Sequence, residues 1–293
     1  RSTPKPSSAA SDVYKRQSID SVKGDGAIDA VVFQTEFSGI LTGNLGKSYI
    51  YAKPVTEVMA PRFRVSMLLG LTGIILSYLV CIPLGIKKAL NHGSLFDFGS
   101  SVMIFIAYSI PGWALGGVLL VLLGGGSFLD MFPLGGLHAP KEIWEQMNFF
   151  QKAVNQIHHM ILPIIAWSIA SFATLTVLMK NGLLENLSQD YIRTAFAKGL
   201  SEKRVIWLHA IRNSVIPIAA NIGQIIGVVI AGSYFIERVF NIEGFGKLAY
   251  EAILQRDYPI TLGFLVIVVI IRLLGNIISD FTLALVDPRI RFK

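Results

Sequence analysis

The sequence predicts an all-α integral membrane protein with five transmembrane helices, and three observations lead there. Of 293 residues, 53% are hydrophobic and 15% are charged, whereas an ordinary soluble domain carries about 25% charge. A mean hydropathy of +0.57 leaves more apolar surface than a compact soluble fold can bury. The apolar residues are also gathered into runs of the length a bilayer demands, about 20 residues for roughly 30 Å of hydrocarbon. Soluble enzymes, disordered regulators and disulfide scaffolds are excluded on these grounds. The single cysteine, Cys81, lies inside an apolar run and reads as a small filler rather than half of a bridge.

Each element follows from where the charges interrupt the runs. Residues 1–17 (RSTPKPSSAASDVYKRQ) are polar and rich in Ser and Pro, and read as a non-native or disordered leader to be set aside. Residues 18–64 contain no stretch of spanning length, since Ala27 to Phe33 is far too short and is broken by Asp29, and Glu36, Lys47, Lys53 and Glu57 follow, so they are placed outside the membrane. Residues 65–293 form the transmembrane domain. Its first span, about 65–86, is free of charge, and so are the spans at 98–123, 160–179 and 214–236. The second is ended near Leu123 because Gly124, Gly125 and Gly126 disfavour helix. The fifth, about 259–278, is interrupted by Arg272. Arg272, Asn276 and Asp280 make one stripe on it, read as an anchor in which Arg272 snorkels or bonds Asp280.

Counting Lys and Arg in the short loops orients the chain. Lys87, Lys88, Lys180, Arg193, Lys198, Lys203, Arg204, Arg212, Arg289, Arg291 and Lys293 fall on one side, and Lys141, Lys152, Arg238, Lys247 and Arg256 on the other. The positive-inside rule makes the loops at 87–97 and 180–212, with the C-terminus, cytoplasmic. The net charge of +7 is thereby explained as topology. Nucleic acid is excluded as a partner, since no basic patch is interleaved with stacking aromatics. The same orientation leaves residues before 65 outside the cell with no span to carry them there, so a further N-terminal helix is expected in the parent protein.

The spans and loops offer few chemical groups. Pro83, Pro111, Pro163 and Pro217 each remove a backbone donor and are expected to kink their helices. Asn221 and Gln224 share one face of the fourth span and must meet other helices or a water-filled path, making them candidates for a translocation route. His158 and His159, like the other histidines, lack metal-ligand spacing, and neither a nucleophile elbow nor a phosphate-binding loop is present. The loop from Asp190 carries apolar residues at helical spacing, Ile192, Ala195 and Phe196 before Gly199, then Val205, Ile206 and Leu208 after it. Two short amphipathic helices are expected, the second capped by Ser201 with Glu202 in its first turn. Such a corner could meet a cytoplasmic partner or lie on the lipid headgroups.

At this loop the residues begin to match a known pattern. Tyr191-Ile192-Arg193-Thr194-Ala195-Phe196-Ala197-Lys198-Gly199-Leu200-Ser201, with Arg212-Asn213 and Ile216-Pro217 beyond it, resembles the EAA loop of binding-protein-dependent ABC importer permeases. The match is to the oligopeptide/dipeptide branch, with Phe196 where that branch commonly has Arg and Arg193-Thr194 in place of the generic Glu-Ala. Other pieces follow in chain order: Gly43 to Ser48 with Lys53-Pro54-Val55, Ile82-Pro83-Leu84-Gly85, Ser109-Ile110-Pro111, and His159 to Pro163. Glu237 to Gly246, Arg256-Asp257-Tyr258-Pro259 and Asp287-Pro288-Arg289 complete the series. Ile82 to Lys88, Ser94 to Asp97 and Phe128 to Leu137 look closest to the members handling oligopeptides and microcin C.

The resemblance implies the type I ABC permease fold, whose six helices would leave the first missing here. It implies a bacterial inner-membrane subunit that is not itself an enzyme and holds no cofactor, ATP and Mg being bound by a separate ATPase. The implied partners are a second homologous permease, two ATPase subunits or domains, a periplasmic binding protein, a peptide substrate and membrane lipid. Arg193 to Ser201 would form the ATPase-coupling segment, with Gly199 bringing Ala195 and Ala197 close to a partner groove. The alternative is a secondary transporter of a small polar solute, which would need acidic residues at mid-membrane; the predicted spans contain none.

Overall fold

The computed structural model describes residues 19–21, 31–33, 39, 42–126, 128–220 and 233–286. A short antiparallel pair, β1 (Ile19–Ser21) and β2 (Val31–Phe33), sets Asp20 opposite Val32. Among the described residues the remaining regular elements are helices, apart from isolated bridges pairing Lys47 with Pro54 and Gly124 with Phe132. In chain order the helices are α1 (Val55–Leu90), α2 (Leu95–Ser109), α3 (Gly112–Leu123), α4 (Lys141–Gln146), α5 (Phe149–Leu187) and α6 (Asp190–Ala197). Then come α7 (Glu202–Arg204), a π-helical turn (Val205–Ala210), α8 (Ile211–Ser214), α9 (Ile216–Ala220), α10 (Tyr234–Val239), α11 (Phe245–Leu254) and α12 (Tyr258–Val286).

Helices α1 and α5 form the central pair, and small residues let them approach. A Cβ on Gly73 would lie 3.1 Å from Trp167 Cζ3, and one on Gly85 would lie 2.7 Å from Met179 Cβ, the close packing that stands in for a hydrophobic drive between helices in lipid. Trp167 is therefore set between helices. Three apolar cores lie along the pair. One joins Val55 and Met59 of α1 to Phe245, Leu248 and Ile260, and one joins Leu69, Leu162 and Ala166 to Phe240 and Ile242. The third, at the opposite end, joins Cys81, Ile86, Met179 and Leu183 to Ile192, Ala195, Val205 and Ile211.

Helix α1 begins well before Val65, because Val55, Val58 and Met59 are buried against α11 and α12 even though Glu57 and Arg62 interrupt the charge-free run. It continues through Pro61 and Pro83 to Leu90. The expected span at 98–123 is built from two helices, α2 and α3, whose axes differ by 95°. Ile110 takes extended angles, φ −92° and ψ 121°, as a residue before proline prefers, and Pro111 opens α3 where its missing N–H is harmless. In α5 the direction changes by 55° between Ile169 and Ser171 rather than at Pro163. Pro217 stands in the first turn of α9.

By length and composition α1 and α12 can each cross a membrane, and counting each bent pair as one crossing raises the number to four among the described residues. The expected span at 214–236 falls largely outside the described residues, as do residues 1–17, Asn221, Gln224 and Asp287 to Arg289. On α12, Arg272, Asn276 and Asp280 all lie on the exposed face. Of the two alternatives for Arg272, snorkelling or a bond to Asp280, the ion pairs among the described residues do not include the bond.

Candidate coupling site and the polar clasps around it

Helix α6 is short and two-faced. Ile192 and Ala195 enter the core with α1 and α5, while Arg193, Thr194, Phe196, Ala197 and Lys198 are exposed. Ala195 thus packs against the protein's own core, and Ala197 is the alanine left facing outward. The helix ends in a Schellman motif: Gly199 N–H donates to Phe196 O at 2.9 Å, and Leu200 N–H donates to Ala195 O at 3.3 Å. Gly199 sits at φ +77° with open space where a Cβ would be, so conformation rather than crowding calls for glycine. Leu200 packs on the same core as Ala195, the apolar contact that usually accompanies this motif.

Ser201 takes the N-cap position of α7, yet its side chain makes no capping bond. The second arm is mostly a π-helical turn, a conformation frequent at functional sites, and it leaves Trp207 and Leu208 exposed. Ser214 fastens this arm to α5, donating to Gly182 O at 3.1 Å and Ala210 O at 2.7 Å. The lower half of α5 (residues 171–187), α6 and the π turn therefore make one packed body at the end that the Lys and Arg count assigns to the cytoplasm.

A buried ionic cluster that the sequence reading used only for topology adjoins this body. Lys180 of α5 donates to both carboxylate oxygens of Asp97, at 2.8 and 2.7 Å. Lys88 of α1 lies 3.2 Å from Asp97 Oδ1 and donates to Asp97 O, Ser100 Oγ and Ser101 Oγ at 2.8, 2.7 and 2.7 Å. His92 Nδ1 is 3.2 Å from Oδ2, and Gly93 N–H donates to the same oxygen at 3.2 Å. Asp97 precedes the apolar run that begins at Phe98. The Lys180 ammonium first, then the Gly93 N–H, Lys88 and His92, hold its carboxyl well below the usual carboxylate range against the opposing effect of burial.

Two carboxylates at the opposite end are satisfied without a cation. Glu237 of α10 accepts from Ser66 Oγ at 2.7 Å and from Lys247 N–H, in the first turn of α11, at 2.6 Å; a Cβ on Gly244 would fall on its carboxyl group. Asp257 accepts from Ser48 Oγ, Tyr49 N–H and Ile50 N–H. This joins two of the motif segments, Gly43 to Ser48 and Arg256 to Pro259, across almost the whole chain. Glu237 sits in the Glu237 to Gly246 segment and Asp257 in the Arg256 to Pro259 segment, and their burial beside backbone donors is the feature sequence reasoning missed.

The family described as binding-protein-dependent transport system inner membrane component matches residues 81–292. Among similar proteins is the peptidoglycan transport system permease protein YejB of Agrobacterium fabrum, 39% identical over 85% of this chain and 68% of that protein. The inner membrane ABC transporter permease protein YejB of Escherichia coli O157:H7 is 41% identical over 85% of this chain and 68% of its own length. The oligopeptide transport system permease protein AppB of Bacillus subtilis is 35% identical over 86% of this chain and 78% of its own length.

Proposed function

The chain belongs to the family of inner membrane components of binding-protein-dependent transport systems, and on that premise we propose that it is the permease subunit of an ATP-binding-cassette importer for peptides. It is a multi-pass inner-membrane protein that performs transport and no catalysis of its own. The observation that carries the reading further is α6: one face is built into the core with α1 and α5, and the other presents Arg193, Thr194, Phe196, Ala197 and Lys198 to a partner. Gly199, Leu200 and Ser201 shape the turn behind it. A separate ATPase holding ATP and Mg pushes on this helix, and the push enters α5 through the Ser188–Gln189 turn.

The remaining parts of the reading follow the same logic. Five spans in this chain leave the C-terminus cytoplasmic, and Asn221 and Gln224 border the path. A second homologous permease, two ATPase subunits or domains and a periplasmic binding protein complete the assembly. The cargo is a short peptide, including microcin C-like peptides and peptide-bearing peptidoglycan fragments, since oligopeptide and peptidoglycan transport are the activities named for permeases like this one. The test is uptake of labelled oligopeptide into liposomes holding the full-length protein with its companion subunits. Uptake that needs both ATP and the binding protein is the expected result. Uptake driven by an imposed ion gradient with no ATP would establish the secondary-transporter alternative instead.

A further inference from the structure

Helix α2 packs against α5 with Ser101, Ile104 and Ala107 half-buried, and its one fully buried residue lies near its N-terminal end. Asp97 is the only buried residue in it, while Phe98, Met103, Phe105 and Ile106 are more than half exposed. That buried residue is the one held by Lys88 from α1 and Lys180 from α5. Burying charge is costly unless it is paired and hydrogen-bonded, so the cluster does more than fill space: it fixes the N-terminal end of α2, where no other residue of the helix is fully buried. Lys180 lies in the half of α5 that runs unbroken to Leu187 and, after two residues, into α6. Ser214 and the shared core bind that half to the π turn.

We propose that Asp97 and Lys180 form a pivot through which displacement of α6 is passed to α2, and with it to the α2–α3 corner. Lys180 is the drive side, because it moves with α5 and α6. Asp97 is the driven side, because α2 has no other buried anchor. Lys88 holds the pivot to α1, so that α2 turns about a fixed point instead of drifting with α5. Both are positioning residues for transport. The proposal rests on the importer reading, and the experiment separates the two.

The variant that isolates the drive side is Lys180→Met, which keeps the aliphatic stem while Asp97 retains Lys88 and the Gly93 N–H. It is compared with wild type and Lys180→Arg in liposomes containing the full-length protein and its companion subunits, reading peptide transported per ATP hydrolysed. The expected result is normal assembly and ATP hydrolysis in Lys180→Met, with that ratio lowered about fivefold or more, and a ratio near wild type in Lys180→Arg. An unchanged ratio in assembled Lys180→Met overturns the pivot. So does failure of Lys180→Met to assemble, because the pivot requires Lys88 alone to suffice for the fold. A wild type whose ATP hydrolysis ignores peptide overturns the importer reading, and the pivot with it, before any variant is compared.

Discussion

Gly199 and Gly244 show two different reasons for glycine, and their substitutions should behave differently. At Gly199 the space is open and the left-handed φ of +77° is the constraint, so Gly199→Ala should cost about 1 kcal/mol and Gly199→Asn less, as melting of the purified protein in detergent would show. At Gly244 the φ is ordinary and the space is not: a Cβ meets the Glu237 carboxyl, which is held by Ser66 and Lys247 N–H. Gly244→Ala should therefore cost about 2 kcal/mol or more by leaving a buried carboxylate displaced from its donors. The double variant Gly244→Ala with Glu237→Ala should recover part of that loss, and a double variant no better than the single one would show that the carboxyl is not the obstacle. Gly199 was legible in the sequence because a lone glycine between two amphipathic arms is a turn signal. Asp97 and Lys180 were not, because loop lysines are read as topology markers and nothing local shows that an aspartate far away in the chain will neutralise one.

At the scale of elements, charge-free runs located α1, α5 and α12, while the packing of the ends lay outside what a run can show. Helix α1 extends over Glu57 and Arg62 since its Val55, Val58 and Met59 find a core. The run at 98–123 is free of charge and gives no hint of a 95° change of direction except Pro111 itself. Pro111 sets up the break, and Gly112 holds it, because a Cβ there would strike the Ala166 carbonyl of α5. Gly112→Ala should then cost about 1–3 kcal/mol through overpacking against backbone that cannot yield, again measured by thermal melting, and a neutral Gly112→Ala would mean that α3 is free to slide on α5.

Over the whole molecule, the two ends of the α1–α5 pair are closed by unlike polar devices. At one end Asp257 ties the segment before α1 to the junction of α11 and α12 through Ser48 and two backbone N–H groups. Hydrogen bonds to a charged group contribute about 1.5–3 kcal/mol, so Asp257→Ala should release residues 46–54 and speed their cleavage by added protease while leaving α6 unaffected. At the other end Asp97 has a folded-state pKa below its unfolded one. Its contribution is present above the unfolded pKa and lost only as pH falls through the folded one. The stability difference between wild type and Asp97→Asn should therefore stay constant between about pH 8 and 5 and shrink only at lower pH; a difference that vanishes near pH 6 would implicate His92 as the controlling group. The order of motif segments along the chain made the family legible from sequence, but their meeting in space, as of Ser48 with Asp257, is a property of the fold that no single segment displays.

Peptide-stimulated ATP hydrolysis in liposomes bearing the full-length protein and its companion subunits tests the central claim most directly, with wild type compared against Gly199→Arg. A transport role for α6 predicts that the variant complex assembles and hydrolyses ATP at its basal rate while stimulation by peptide disappears. Stimulation equal to wild type in the assembled variant would contradict it, and would leave α6 and the π turn as a helix pair lying on the lipid headgroups.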